Sequence, residues 1–169
     1  MIQGKATEFP SAAAFLQLCA GAESLSQLYE DCLPMALKEL GATAIQVVRG
    51  EKGVWRLQSS VGEKATPPER LLSEALDAGS VQTAQRWTAC AIGAEGGNVV
   101  AVQFASAPVE DQVARVSHFA ESLAAAVSVV GPHEKQQTRV RHLEAILEIA
   151  AQWNQTNEMV TLLQQMAET

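Results

Sequence analysis

The cysteines and histidines are the residues of this sequence whose side chains could carry covalent or metal chemistry. The three cysteines, Cys19, Cys32 and Cys90, show no CxxC spacing, and an odd number cannot form a complete disulfide framework. We therefore expect free thiols in a reducing compartment. The three histidines are dispersed, without cysteine or aspartate at metal-ligand spacing, so we expect no metal site.

One pair of residues, Cys90 and His118, could in principle act as a nucleophile with its base. A thiol-dependent reductase would also need a resolving cysteine held close to the first. The pattern instead places Cys90 in a strand and His118 on a helix surface, which favours a buried thiol and a solvated imidazole. The sequence thus predicts a non-catalytic chain without a cofactor, with a thiol-dependent reductase as the least favoured alternative.

The charge balance argues against a nucleic-acid partner. The chain has 12 Lys and Arg against 19 Asp and Glu, a net charge of −7, whereas phosphate-backbone binders carry clustered basic residues. The opening MIQGKATEF lacks the apolar segment of a secretory signal. The longest apolar run, Leu123 to Val130, is far shorter than the ~20 residues of a membrane span. We expect a cytoplasmic protein with no membrane contact.

Caps and helical periodicity predict two helices near the start. Ser11 can cap a helix that continues to Ala20. Ser24 and Gln27 have capping-box spacing for a second helix that ends at Gly41. Pro34 lies inside this second helix, where we expect it to kink or divide the helix.

Alternating polarity then predicts two hairpins separated by one helix. Thr66 is expected to cap that helix, Pro67 to Ala78, with Glu69 completing the capping box. The glycine-containing turns RGEKGV and EGGN are expected to join the paired strands. The predicted strands are residues 43–49, 54–61, 81–84, 87–93 and 98–105.

Two more helices are predicted in the last third, with a break at Gly131-Pro132 between them. Hairpin-joined strands separated by a short helix indicate an antiparallel sheet with helices segregated to its faces. We therefore predict an α+β fold. It has a central antiparallel sheet of five to six strands, helices on both faces, and a C-terminal linker helix.

The stretch GNVVAVQFASAPVEDQVARVSHFAESLAAAV, with its turn glycine, apolar strand, proline-bearing break and alanine-rich amphipathic helix, resembles a GAF domain. The resemblance covers roughly residues 24–130 and rests on pattern. It implies a sensory or regulatory module of a larger signalling protein, whose output would be a transcription activator, kinase, phosphatase or cyclase. The segment between the second strand and the later sheet is short for this family and contains no cysteine. A deep cyclic-nucleotide or bilin pocket is therefore not expected.

A ligand, if one binds, is expected between the sheet and the helix Pro67 to Ala78. The polar or aromatic candidates there are Gln46, Gln58, Arg86 and Trp87. The short covering segment keeps a different function open, in which the domain binds no ligand and acts only in dimerisation and assembly.

The linker helix carries an apolar seam with steps of three and four residues, which is the a/d pattern of a coiled coil. Arg139 and Glu144 fall at g and e, five residues apart, the offset of an ion pair across a parallel dimer. We predict a homodimer through this seam, the alternative being a helix folded back on its own sheet. The predicted dimer residues are Val140, Leu143, Leu147 and Ala150, with Asn154 next in the seam and Ile146, Ile149 and Trp153 as a second stripe.

The sequence also predicts how the chain is divided. A shift of 134 positions places the apolar residues of the second helix onto apolar residues after position 156, with the same spacing. We therefore expect a second GAF domain to begin there. The predicted segments are an N-terminal helix (1–23), the GAF-like domain (24–131), the linker helix (132–154) and the first helix of the second domain (155–169).

Overall fold

The computed structural model describes residues 21–93 and 97–167, without the side chains at position 133 and from position 150 onward. The chain divides after Gly131 into two compact units, each described here by itself. The predicted helix from Ser11 to Ala20 lies outside the described residues. The elements are α1 (Leu25–Leu40), β1 (Ala44–Glu51), β2 (Val54–Gly62), α2 (Glu69–Ala78), β3 (Gln82–Ala84), β4 (Trp87–Ala91), β5 (Asn98–Gln103) and α3 (Glu110–Ala167).

The first unit is built on one antiparallel sheet of five strands in the order β2-β1-β5-β4-β3. Both predicted hairpins form: β1 pairs with β2, and β4 pairs with β5. The hairpins join because β5 also pairs with β1, in a register that sets Val47 opposite Val100. The α+β fold with a five-stranded antiparallel sheet is therefore confirmed.

Both faces of the sheet are covered, because the strands alternate between two sets of apolar side chains. In β1, Ile45 and Val47 join the core formed with α1 and the first part of α3. Val48 belongs to a smaller core on the opposite face, where Leu71 and Leu72 of α2 pack. Successive strand residues point to opposite faces, so this division follows from the alternation in the sequence.

The ends of α1 follow the predicted caps with one change. The Gln27 amide donates to Ser24 Oγ at 3.2 Å, as expected of an N-cap. The Gln27 side chain, however, accepts from the amide of Glu23 rather than that of Ser24. At the other end the Ala42 amide donates to Leu37 O, which satisfies a carbonyl left unpaired by the helix end. Pro34 lies inside α1, which is continuous.

The predicted start of α2 is wrong. The helix begins at Glu69 with Pro68 as its N-cap residue, and no side chain caps it. A residue that precedes proline is kept out of the α region, and this restriction applies to both Thr66 and Pro67. The chain therefore stays extended until Pro68, whose φ of −61° and ψ of 125° are extended values. Thr66 is thus not the N-cap residue of α2, and the predicted capping box does not form.

The predicted break at Gly131-Pro132 is also wrong, because α3 is helical from Glu110 to Ala167. Pro132 has no N–H, so the carbonyl of Ser128 lacks its usual partner four residues on. Gly131 is also a weak helix former, so the local preference of both residues is overridden in α3. The expected start of a new helix near position 156 also falls inside α3, so a second domain beginning there stays a prediction.

The stretch Glu110–Ile149 of α3 is long and apolar enough to cross a membrane by length and composition alone, with a hydropathy of 1.3 over its best 18-residue window. The same test is passed by core helices of soluble proteins. Phe119, Ala120 and Leu123 of this stretch are buried in the core of the first unit. Packing in the core thus accounts for part of its apolar character.

Replacement of Gly62 by alanine should test the join between β1 and the end of β2. Gly62 has a φ of +88°, and a Cβ there would overlap the carbonyl oxygen of Thr43. That oxygen already accepts a hydrogen bond from the Glu63 amide at 2.9 Å, so it cannot easily move. Gly53 has a similar φ of +78° but no heavy atom near its would-be Cβ.

We expect Gly53→Ala to lower the free energy of unfolding by about 1–2 kcal/mol through backbone strain alone. Gly62→Ala adds the clash and should lower it by at least about 3 kcal/mol. Urea denaturation of the two variants measures the difference. Equal losses would show that the clash with Thr43 does not exist.

Candidate functional site

Two buried carboxamides and one indole lie together on the α2 face of the sheet. Gln46 on β1 is 8% exposed, Gln103 on β5 is 4% exposed and Trp87 on β4 is 6% exposed. In the strand registers Gln103 lies opposite Trp87, and Gln46 lies opposite Ala101, the next residue of β5 on this face. Residues at such diagonal positions are ~7–8 Å apart. Together these three side chains form the polar part of this face.

Gln46 has an evident structural partner. Its side-chain nitrogen donates a hydrogen bond to the carbonyl of Ala65, in the segment that joins β2 to α2. A buried carboxamide needs such a partner, since an unpaired polar group away from water costs about 1–3 kcal/mol. Gln46 thereby holds the connecting segment against the sheet. Its assignment as a ligand-binding residue stays a prediction.

The other two residues predicted to bind a ligand, Gln58 and Arg86, lie at the margin of the α2 face. Gln58 is the extra residue of a β-bulge in β2, because Val47 pairs with Ser59 and Val48 pairs with Leu57. Its side chain is exposed. Arg86 is exposed in the turn between β3 and β4, where its carbonyl accepts from the Phe104 amide at 2.8 Å. The structure thus brings Gln46 and Trp87 to one buried face and leaves Gln58 and Arg86 in solvent.

Gln103 is the residue that the sequence analysis missed. Its side-chain oxygen lies 3.5 Å from Thr43 Oγ1, which donates, and its backbone carbonyl accepts from the Thr43 amide at 2.8 Å. A signal was present, because Gln103 continues the alternation Val99, Ala101 onto the same face of β5. A polar residue at an inward position of a central strand is unusual enough to single out.

The α2 face offers neutral hydrogen-bonding groups and little depth. Carboxamides both donate and accept, so they could orient a polar ligand without attracting charge. However, Leu71, Leu72 and Ala75 of α2 pack directly against the small strand residues Ala89 and Ala101. This close packing agrees with the short covering segment, which argues against a large enclosed pocket.

The second unit carries a row of exposed aliphatic side chains, which we call the apolar stripe. It comprises Val140, Leu143, Ile146, Leu147 and Ile149, exposed by 48%, 53%, 54%, 69% and 59%. Exposed apolar side chains occur singly on most surfaces, but a contiguous group of this kind marks an interaction site. The stripe contains three of the four predicted dimer residues. The side chain of the fourth, Ala150, lies outside the described residues.

Cys90 and His118 are not arranged as a nucleophile and base. Cys90 is 7% exposed in the core on the α1/α3 face. The imidazole of His118 is in solvent, with Nδ1 3.8 Å from Glu121 Oε2. Burial raises the pKa of the Cys90 thiol, and the negative charge of Glu121 raises it further. A raised pKa keeps the thiol protonated at neutral pH, the opposite of what a nucleophilic cysteine needs.

Among the residues that the structure describes, no group of three or more His, Cys, Asp or Glu side chains comes together to hold an ion. Cys32 and Cys90 are both buried, and the Cys32 thiol donates to the carbonyl of Tyr29 at 4.0 Å. The third cysteine, Cys19, lies outside the described residues.

The rate of alkylation of Cys90 should report its raised pKa. Iodoacetamide reacts with the thiolate, so the rate in the folded protein should rise with pH around a midpoint above that of an ordinary cysteine. Glu121→Gln removes the smaller cause, so the midpoint should fall but stay above the ordinary value. Peptide-resolved mass spectrometry measures the rate at each pH, with the urea-unfolded chain as control. A folded-state midpoint at or below that of the unfolded chain would contradict the burial of this thiol.

Neither family models nor curated proteins match the sequence. Solved structures do match the fold. The GAF domain of a phosphoenolpyruvate-protein phosphotransferase from Coxiella burnetii superposes with a TM-score of 0.54 at 13% identity, over 69% of this chain and 90% of that chain. The GAF domain of the corresponding Acinetobacter protein gives 0.52 at 9% identity, with the same coverage.

A third match is the GAF domain of a putative sensor histidine kinase from Pseudomonas syringae pv. tomato, with a TM-score of 0.48 at 14% identity, over 80% of this chain and 89% of that chain. The first two matches show that the chain has the GAF fold. The resemblance inferred from the pattern of the sequence is therefore confirmed at the level of the fold.

Proposed function

We propose that this GAF-fold chain is a non-catalytic sensory or regulatory module that pairs with a second copy of itself through α3. The pair would relay ligand binding or assembly state to an output domain of a larger protein. The fold supports the regulatory part, since the similar solved structures are GAF domains of larger proteins. The apolar stripe is the observation that supports dimerisation.

The seam within the stripe fits a second copy of the same helix. Val140, Leu143 and Leu147 follow the a/d spacing and are each about half exposed or more. Arg139 and Glu144 flank the seam, and both are exposed. In a parallel pair each arginine would face the glutamate of the other copy. Complementary charges beside a self-complementary apolar seam favour a homodimer over an unrelated partner.

The free energies of burial and of association indicate how much of the apolar stripe must be buried in a dimer. Burying the exposed half of a Val or Leu side chain contributes about 1 kcal/mol, so three seam positions in two copies contribute about 6 kcal/mol. Association costs about 4–15 kcal/mol in lost motion. The seam alone is therefore marginal, and Ile146 and Ile149 must also become buried for a stable pair. Because the gain and the cost nearly balance, the dimer should dissociate on dilution.

Residue chemistry supports three further parts of the proposal: the cytoplasmic location, the lack of a nucleic-acid contact and the lack of reductase activity. The three cysteines show no CxxC spacing and are odd in number, which supports a reducing, cytoplasmic location. The net charge of −7 disfavours a nucleic-acid contact by this segment. The protonated state of Cys90 disfavours the reductase alternative.

A second candidate function is assembly alone, with no ligand. The direct packing of α2 on Ala89 and Ala101 is the observation that favours it. Native mass spectrometry of the protein purified from its own cells separates the two. A bound small molecule supports the sensor, and its consistent absence across growth conditions supports the assembly module.

Replacement of Leu147 by lysine should abolish the dimer. The change places a charge in the centre of the seam, where it would be desolvated on pairing. Glu148→Lys is the matched control, because it alters charge at the neighbouring exposed position outside the seam. Sedimentation equilibrium should give a monomer for Leu147→Lys and a dimer for Glu148→Lys. If the unaltered chain sediments as a monomer at every concentration, the dimerisation proposal is wrong.

A charge exchange should report the orientation of the two helices. In a parallel pair, Arg139→Glu sets two glutamates against each other across each side of the seam, which should weaken dimerisation about twofold to fivefold per pair. The double variant Arg139→Glu/Glu144→Arg restores opposite charges and should recover the dissociation constant of the unaltered chain. Sedimentation at low salt measures all three proteins. Failure of the double variant to recover would rule out the parallel arrangement.

A further inference from the structure

A cleft lies on the α1/α3 face of the sheet, between α3, the end of β4 and residues 79–81, which precede β3. Its volume is about 550 Å³, within the ~300–1,000 Å³ of typical small-molecule sites. Because Cys90 lines it, the cleft is on the opposite face from Gln46, Gln103 and Trp87. It is therefore separate from the candidate site on the α2 face.

The walls of the cleft are built from small side chains. The side chain of Cys90 on β4 lies in one wall, and Ala120 and Ala124 of α3 form the other. Side chains that end at Cβ or Sγ cannot fill the space between a helix and a sheet at their usual packing distance. The cleft is thus a consequence of these residue types, and its floor is largely apolar.

The charge at the cleft is negative. Glu121 is the single charged side chain among the described residues that line it. Glu121 raises the pKa of the Cys90 thiol, the second cause after burial, and both residues line the cleft. His118 Nδ1 is 3.8 Å from the carboxylate, longer than a hydrogen bond, so the oxygens of Glu121 retain capacity to accept from a ligand.

We propose that this cleft binds a small organic amine in its protonated form. The ammonium group would pair with Glu121, and the apolar body of the ligand would lie against Cys90 and Ala124. An anion is disfavoured, because no Lys or Arg is among the described lining residues and the chain carries a net charge of −7. The binding would be independent of dimerisation through α3.

Benzylamine is the probe that tests this proposal, because it is cationic at neutral pH and combines an ammonium group with a compact apolar body. Bound benzylamine should cover Cys90, so it should slow alkylation of Cys90 by iodoacetamide in a saturable manner. Benzyl alcohol has the same shape without the charge and should bind about threefold to fivefold more weakly. Mass spectrometry of the Cys90 peptide gives the protected fraction at each probe concentration.

Three variants test whether benzylamine binds in this cleft. Glu121→Gln lies at an exposed position and should weaken benzylamine binding by the same threefold to fivefold while leaving benzyl alcohol unchanged. Ala124→Leu fills the cleft and should abolish protection by both probes, whereas Ala125→Leu, at an exposed position that does not line the cleft, should have no effect. Rates are compared with each variant's own probe-free rate.

Three results would overturn the proposal. The first is the absence of saturable protection up to the solubility limit of benzylamine. The second is equal protection by benzylamine and benzyl alcohol together with no effect of Glu121→Gln. The third is protection that persists in Ala124→Leu.

Discussion

A sheet with apolar side chains on both faces must have both faces covered, and the rest of this structure depends on that constraint. The residues Ile45, Val47, Val100 and Val102 point to one face, while Val48, Val99 and Ala101 point to the other. Two helices, α1 and the first part of α3, cover the first face. The short helix α2 covers the second. A fold with helices on both sides of an antiparallel sheet is the consequence.

The two faces differ in the size of the side chains that cover them, and this difference decides where binding could occur. On the α2 face, Ala75 meets Ala89 and Ala101, so helix and sheet approach closely. On the other face, the small residues Ala120 and Ala124 of α3 lie beside Cys90 near the margin of the sheet, where they leave a cleft. Small side chains therefore have different effects on the two faces. On the α2 face the helix lies close to the sheet, whereas on the α1/α3 face a cleft remains between α3 and β4.

The chain holds its buried polar groups in environments that are set by neighbouring residues. Its buried thiol is held protonated by burial and by a neighbouring carboxylate. Its buried carboxamides on the α2 face are neutral, and Gln46 is already committed to the backbone of the segment before α2. Five exposed aliphatic side chains lie in a row along the second unit.

The sequence by itself determined the strands, their order and most of the division of residues between the two faces, because these follow from local periodicity. It did not determine that α3 continues through Gly131 and Pro132. It also contained the restriction that delays α2 to Glu69, since a residue before proline avoids helix. Tertiary structure alone decided three features. The β-bulge at Gln58 turns Val61 to the α1/α3 face although Trp55 and Leu57 face α2, and alternation cannot reveal an extra residue. The burial of Gln103 depends on β5 lying inside the sheet, and the cleft beside Cys90 depends on how close α3 comes to β4. Each of these is set by contacts between residues far apart in the chain, which no local pattern encodes.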